Sequence, residues 1–230
     1  MVKTKSIFAK LKRKWIKLRL QPIRVFCLHH VTEQFDSAIM NQGDWMALDE
    51  FKTNINHLRK DSVRFISLTD AYQLLKNDCI RIQKYAVLTF DDGYASLKEV
   101  LPWLEEQKIP VALFINGKYL DGMLYRKNPN EKYLTYEELF AMDSPLIEIG
   151  SHGYEHTDAS VMSEDVFRLH IENNIKILSS HPRYIPFHAY TWGRHTKDTD
   201  RILQSMNITP VYIDGMKNYN KPSIIHRELL

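Results

Sequence analysis

Apolar and polar positions along the chain follow two periods. Short apolar runs rich in β-branched and aromatic residues lie at 23–28, 64–68, 85–90, 111–115, 146–150, 184–190, 210–213 and 223–226. Runs of this length and composition predict strands, most of them buried on both faces. Between them, apolar residues recur every three or four positions, as in Phe51, Ile55 and Leu58, which predicts helices. Helices are expected over 48–59, from a cap at Thr69 or Asp70, over 96–107, from 135, over 163–178 and over 196–206. Thr135 with Glu138 has the form of a capping box. Pro102 inside the helix over 96–107 predicts a kink or a shifted start. Segments 32–47 and 116–133 read as loops, and the second is long enough to suggest a functional role. Strands alternating with helices predict an α/β domain with a mainly parallel sheet that could close into a barrel.

The first 24 residues follow a different pattern. Ile7, Phe8, Leu11, Trp15 and Leu18 form an apolar stripe at helical spacing, and Lys3, Lys5, Lys10, Lys12, Arg13, Lys14, Lys17, Arg19 and Arg24 accompany it with no acidic residue. Pro22 is expected to end this helix. The chain therefore divides into a basic amphipathic arm, 1–22, and one body, 23–230, that is slightly acidic although the whole carries a formal charge of +3. Such an arm suits contact with an anionic membrane surface through residues 3–20, or packing on the body. Nothing in it favours nucleic acid. No 7–15-residue apolar core follows the charges as in a secretory signal, and no apolar run reaches the ~18 residues of a membrane span. A cytoplasmic location, peripheral at the inner membrane face, is the expectation. Cys27 and Cys79 give no disulfide framework.

Candidate chemistry gathers where strands end. The strand over 85–90 runs into Asp91-Asp92-Gly93. Adjacent carboxylates repel and are rarely buried without a partner, and neighbours on an extended chain point opposite ways. The two acids can thus hold a cation and face a substrate separately. The strand over 146–150 runs into Ser151-His152-Gly153-Tyr154-Glu155-His156. On a helical turn, the spacing of His152 and His156 would bring both rings to one ion. Two histidines and a carboxylate make a common catalytic zinc set with a position left open for water. A metal so held activates water and polarises a carbonyl, and a spare carboxylate can take the water's proton. The first strand ends at His29, a third place on the same edge.

Thr89-Phe90-Asp91-Asp92-Gly93 and Ser151 to His156 resemble the first and second motifs of the polysaccharide deacetylases (NodB homology, carbohydrate esterase family four). The likeness runs from Val25 to about Arg227 and leaves only the arm uncovered. It implies a distorted (β/α)7-type barrel that removes acetyl groups from N-acetylated sugars. By motif, Asp91 matches the general base, and Asp92, His152 and His156 match the metal ligands. Leu28-His29-His30-Val31 is similar to a segment of the subgroup acting on poly-N-acetylglucosamine, which makes His29 the general acid. His226, near the C-terminus, is the competitor that other members suggest. The third motif departs from the subgroup: His188-Ala189-Tyr190-Thr191-Trp192-Gly193 has Thr191 for proline and Trp192 for tyrosine. Its backbone N–H at Trp192 is expected in the oxyanion hole, and Tyr190 and Trp192 are the expected substrate-binding residues. The expected cofactor is a divalent metal, zinc before nickel, cobalt or iron. The expected substrate is an N- or O-acetylated sugar of a polysaccharide or of its nucleotide- or lipid-linked precursor. A non-catalytic carbohydrate-binding relative and a metal amidohydrolase on a non-sugar amide are the alternatives.

Overall fold

The computed structural model describes residues 21–35, 43–77, 81–121, 132–219 and 222–230. The expected basic arm, its membrane contact and Cys79 lie outside the described residues. Along the rest run β1 (Ile23–Leu28), β2 (His30–Thr32), β3 (Trp45–Ala47), α1 (Leu48–Lys60), β4 (Val63–Phe65), α2 (Leu68–Lys76), β5 (Lys84–Phe90) and α3 (Leu97–Glu106). They are followed by β6 (Val111–Ile115), α4 (Tyr136–Phe140), β7 (Ile147–Ser151), α5 (Glu164–Leu178), β8 (Tyr184–Ala189), α6 (Lys197–Ser205), β9 (Thr209–Ile213) and β10 (Ile225–Leu229).

Strands β1, β10, β9, β8, β7, β6 and β5 pair in parallel in that order, and β5 returns to β1 to close a seven-stranded barrel. This is the expected distorted (β/α)7-type architecture. Strand β4 adds to the first half of β5, ahead of the point where β6 begins to pair.

Alternation along the strands sorts side chains into two cores. On β5, Ala86, Leu88 and Phe90 join the outer core with Phe51 and Ile55 of α1 and Val100 and Leu104 of α3. Val87 joins the inner one with Val25, Ala112, Phe114, Ala189, Val211 and Ile225. Covering both faces is what makes these strands near-continuous apolar runs. Helix α2 shuts one end of the barrel by adding Leu68, Ala71 and Leu75 to the inner core. Glu148, near the start of β7, accepts from the Leu68 and Thr69 amides at the first turn of α2. Burial still pushes its carboxyl up, while the helix dipole favours a negative charge there.

Several local expectations need correction. The cap of α2 is Ser67, whose hydroxyl accepts from the Asp70 amide, so Leu68 starts the helix instead of ending a strand. The capping box at Thr135 forms. Within the expected loop over 32–47, Trp45–Ala47 pairs in parallel with His30–Thr32. Gly117–Asp121 coils into a 3₁₀ turn at the start of the other expected loop. The last strand continues to Leu229, three residues beyond the apolar run that announced it.

Candidate functional site

The C-terminal ends of the strands gather the chemistry, as parallel α/β sheets favour. The β1–β5 register pairs Leu28 with Phe90, so the next residues, His29 and Asp91, leave the sheet side by side. The Asp91 amide donates to Leu28 O at 2.9 Å. Ring nitrogen of His29, Sγ of Cys27 and a carboxylate oxygen of Asp91 lie within 4.8 Å of one another.

Asp91 continues the inward-facing set of β5. Its carboxylate receives two guanidinium bonds from Arg227, at 2.6 and 2.8 Å, and Arg227 also donates to Thr89 Oγ1 at 3.0 Å. The Cys27 thiol donates to Asp91 Oδ2 at 3.5 Å. Burial pushes the Asp91 carboxyl up, but Arg227, aided by His152 and His29, outweighs it and holds the group at about 2. The same burial pushes the Cys27 thiol up, and its negative neighbours Asp91 and Asp92 act in the same direction. A fork matched to a carboxylate in this way is the strong, bidentate form of ion pair.

Asp92 breaks the alternation. Its φ is +72° and that of Gly93 is +79°, so the chain turns sharply and carries the second carboxylate away from the first. Left-handed backbone is tolerated best by glycine and by Asp or Asn. A Cβ on Gly93 would stand 2.9 Å from Ile115 Cδ1, which ties that position to glycine twice over. The turn brings Asp92 Oδ1 to 3.4 Å from His152 Nε2 and 3.3 Å from His156 Nε2.

The two histidines meet by a different route from the expected one. Residues 152–156 form a bent loop, not a helical turn, and Gly153 has φ +86°. His152 Nδ1 donates to Ala189 O at 2.8 Å. A carbonyl only accepts, so the proton is fixed on Nδ1 and the Nε2 lone pair faces Asp92. This donor set fits a divalent ion. Tetrahedral ligands about 2.1 Å from a metal stand about 3.4 Å apart, and the outer hydrogen bond of His152 is the usual support of a ligating histidine.

The remaining expected site residues divide. Trp192 stands at the mouth, 59% exposed, with its ring edge-on to His156 at 4.5 Å and Arg194 over its face at 5.7 Å. Its φ of +52° turns the chain at the third motif. Tyr190 does not join it. That ring is 1% exposed among Phe167, Ile202 and Leu203, and its hydroxyl donates to Asp200. The expectation that Tyr190 binds substrate gives way to a core role. His226 does not reach the cluster either. On β10 it alternates with Arg227: Arg227 points into the barrel and His226 outward, where Nδ1 meets Asp214 Oδ2 at 2.8 Å. The sequence alone assigns Arg227 no role. Its one signal is an arginine two residues beyond the apolar Ile224-Ile225 in a closing strand, where buried arginine needs a carboxylate partner.

Residues 81–211 match the family described as polysaccharide deacetylase. The chain belongs to the polysaccharide deacetylase family. Solved structures share its fold at low identity. IcaB from Ammonifex degensii is 23% identical over 92% of this chain and 94% of its own, with a TM-score of 0.77. The Streptococcus pyogenes deacetylase PplD, solved with acetate, is 19% identical over 91% and 92%, with a TM-score of 0.77. A de-N-acetylase from Aggregatibacter actinomycetemcomitans is 15% identical over 91% and 95%, also at 0.77. No curated protein sequence matches the chain.

Proposed function

We propose that the chain is a metal-dependent hydrolase removing acetyl groups from N-acetylated sugars of a polysaccharide or its nucleotide- or lipid-linked precursor. One observation carries this reading. The two adjacent carboxylates are separated into different surroundings, Asp92 against two histidines and Asp91 against Arg227 and His29. Family membership supports an acetylated sugar as substrate, and the de-N-acetylase among its structural neighbours supports an amide over an ester.

Asp92, His152 and His156 would hold the ion. Bound there, a divalent metal (zinc, or alternatively nickel, cobalt or iron) supplies Lewis-acid chemistry that acidifies water and polarises the acetyl carbonyl. Asp91 accepts the proton of the water that attacks the carbonyl carbon. Arg227 keeps Asp91 ionised and aims it, since both carboxylate oxygens are gripped. The Trp192 N–H helps hold the oxygen on which charge develops, and its indole offers an apolar face to the sugar ring. As the C–N bond breaks, His29 delivers a proton to the departing nitrogen, leaving acetate and a free amino sugar.

Acetate release tests the reading. The substrates are N-acetylglucosamine oligomers, nucleotide-linked N-acetyl sugars and simple N-acetyl amides, with bound metal measured alongside. Release from sugars with metal present is expected. Tight sugar binding with neither metal nor acetate would replace hydrolysis by carbohydrate binding. Equal release from simple amides would make the chain a general amidohydrolase.

A further inference from the structure

The loop that carries His152 and His156 has almost no regular structure of its own, yet its backbone polar groups are tied down one after another by neighbouring groups. Asn116 Nδ2 donates to His152 O at 2.7 Å and to Gly153 O at 3.1 Å. The Gly153 amide donates to Ser151 Oγ at 3.2 Å, and the His156 amide to the Tyr119 hydroxyl at 3.2 Å. Two side chains of α5, one turn apart, close the set. His170 Nε2 accepts from the Tyr154 amide at 3.2 Å. Asn174, fully buried, donates to Ile115 O at 3.0 Å and Ser151 Oγ at 2.9 Å, and accepts from the Gly117 amide at 2.7 Å.

Ser151 Oγ is the hub. It has two lone pairs and one proton. The amides of Gly153 and Asn174 fill the lone pairs, so the proton goes to His188 Nδ1, 3.0 Å away. The fit around His170 is equally close, because a Cβ on Gly153 would collide with its Nε2. None of these side chains is a ligand of the candidate metal centre.

We propose that His170 and Asn174 are positioning residues that preorganise the His152–His156 loop for its ion. This rests on the metal reading above. Without His170 the Tyr154 amide, midway between the two histidines, loses its acceptor. Without Asn174 the ends of β6 and β7 lose their common tie. Groups that orient metal ligands from outside typically change affinity by about 10–100-fold.

Cobalt(II) is the probe, because its visible spectrum reports ligand geometry and its titration gives affinity without any substrate. His170→Leu and Asn174→Leu are expected to weaken cobalt binding about 10–100-fold and to alter the spectrum. His170→Gln, which keeps an acceptor in reach, is expected to recover most of the affinity. In His170→Leu the Tyr154 amide should also exchange with deuterium faster than its neighbours on β7. A Leu variant that fails to fold leaves the comparison to His170→Gln and Asn174→Asp, where the second keeps the acceptor for Gly117 but loses both donors and should bind cobalt more weakly than the first. Wild-type affinity in the folded variants overturns the positioning role alone. A wild-type chain that takes up no cobalt overturns the metal reading and this one with it.

Discussion

Replacing Arg227 by methionine removes the guanidinium that grips Asp91 while keeping a side chain of similar length inside the barrel. Arg227 is fully buried, and it makes bonds of 2.6 and 2.8 Å to the carboxylate and 3.0 Å to Thr89. Breaking a buried pair from one side typically costs about 3–5 kcal/mol, because the surviving charge is left without a partner. For a chain of this size that is a drop in Tm of roughly 6–20 °C. The pH dependence follows from the same pair. Asp91 has a folded value of about 2 against an ordinary 3.8. A depressed carboxyl stabilises the fold above its unfolded value, so roughly 2 kcal/mol is present at pH 5 and above and is lost as pH falls from about 4 towards 2. In Arg227→Met burial becomes the dominant influence and raises the Asp91 value above the unfolded one, so the contribution reverses: the carboxyl stabilises the fold at low pH, and that stability is lost as pH rises through the folded value. Urea unfolding at pH 7 and across pH 2–6 reads both effects, and the double variant Asp91→Leu/Arg227→Met closes the cycle. The double variant should be more stable than Arg227→Met, since no charge is left buried. Simple additivity of the two single losses, or a loss below about 1 kcal/mol in Arg227→Met, would mean that Arg227 does not hold the Asp91 charge in the barrel.

His29→Ala should lower acetate release by about 10²–10⁴-fold, whereas His226→Ala, on the outer face of β10, should leave it within a factor of about two; steady-state kinetics separates them. Metal removal should abolish acetate release, restoring zinc should recover it, and added zinc should raise Tm with concentration as a ligand of the folded state does. His170 is held at about 4 against an ordinary 6.5 by burial. Its neutral form therefore stabilises the fold above pH 6.5, and roughly 3 kcal/mol should be lost as pH falls from 6.5 to 4. His170→Gln should flatten that part of a pH–unfolding curve measured without metal. Trp192→Ala should raise KM for a sugar substrate more than it lowers kcat, because the indole stands at the mouth and not among the proton-handling groups.

Strand positions were readable because burial on both faces leaves a run such as Val87 to Phe90 with no polar residue but Thr89, whose hydroxyl is satisfied by Phe26 O. The meeting of Asp92, His152 and His156 was readable because they sit one or a few residues beyond strand ends, where local sequence and position coincide. The shape of the loop joining the histidines was not. Spacing by four is helical only if the backbone hydrogen bonds are helical, and here they go to Asn116, Ser151, His170 and Tyr119. The role of Arg227 is not legible locally because its partner is 136 residues away, a pairing set by barrel closure and not by any local pattern. Tyr190 and Trp192 differ by two positions and have opposite fates, one in the core and one at the mouth. The left-handed turn at Trp192 decides this, and no propensity scale marks a tryptophan for such a conformation.

In the proposed mechanism Asp91 handles the proton while Asp92 and the two histidines hold the ion. The most direct measurement is metal content and acetate release on the same preparation of Asp91→Asn, beside wild type, with N-acetylglucosamine oligomers as substrate. One ion per chain is expected in both proteins, with acetate from wild type only. Acetate release at the wild-type rate from Asp91→Asn would contradict it.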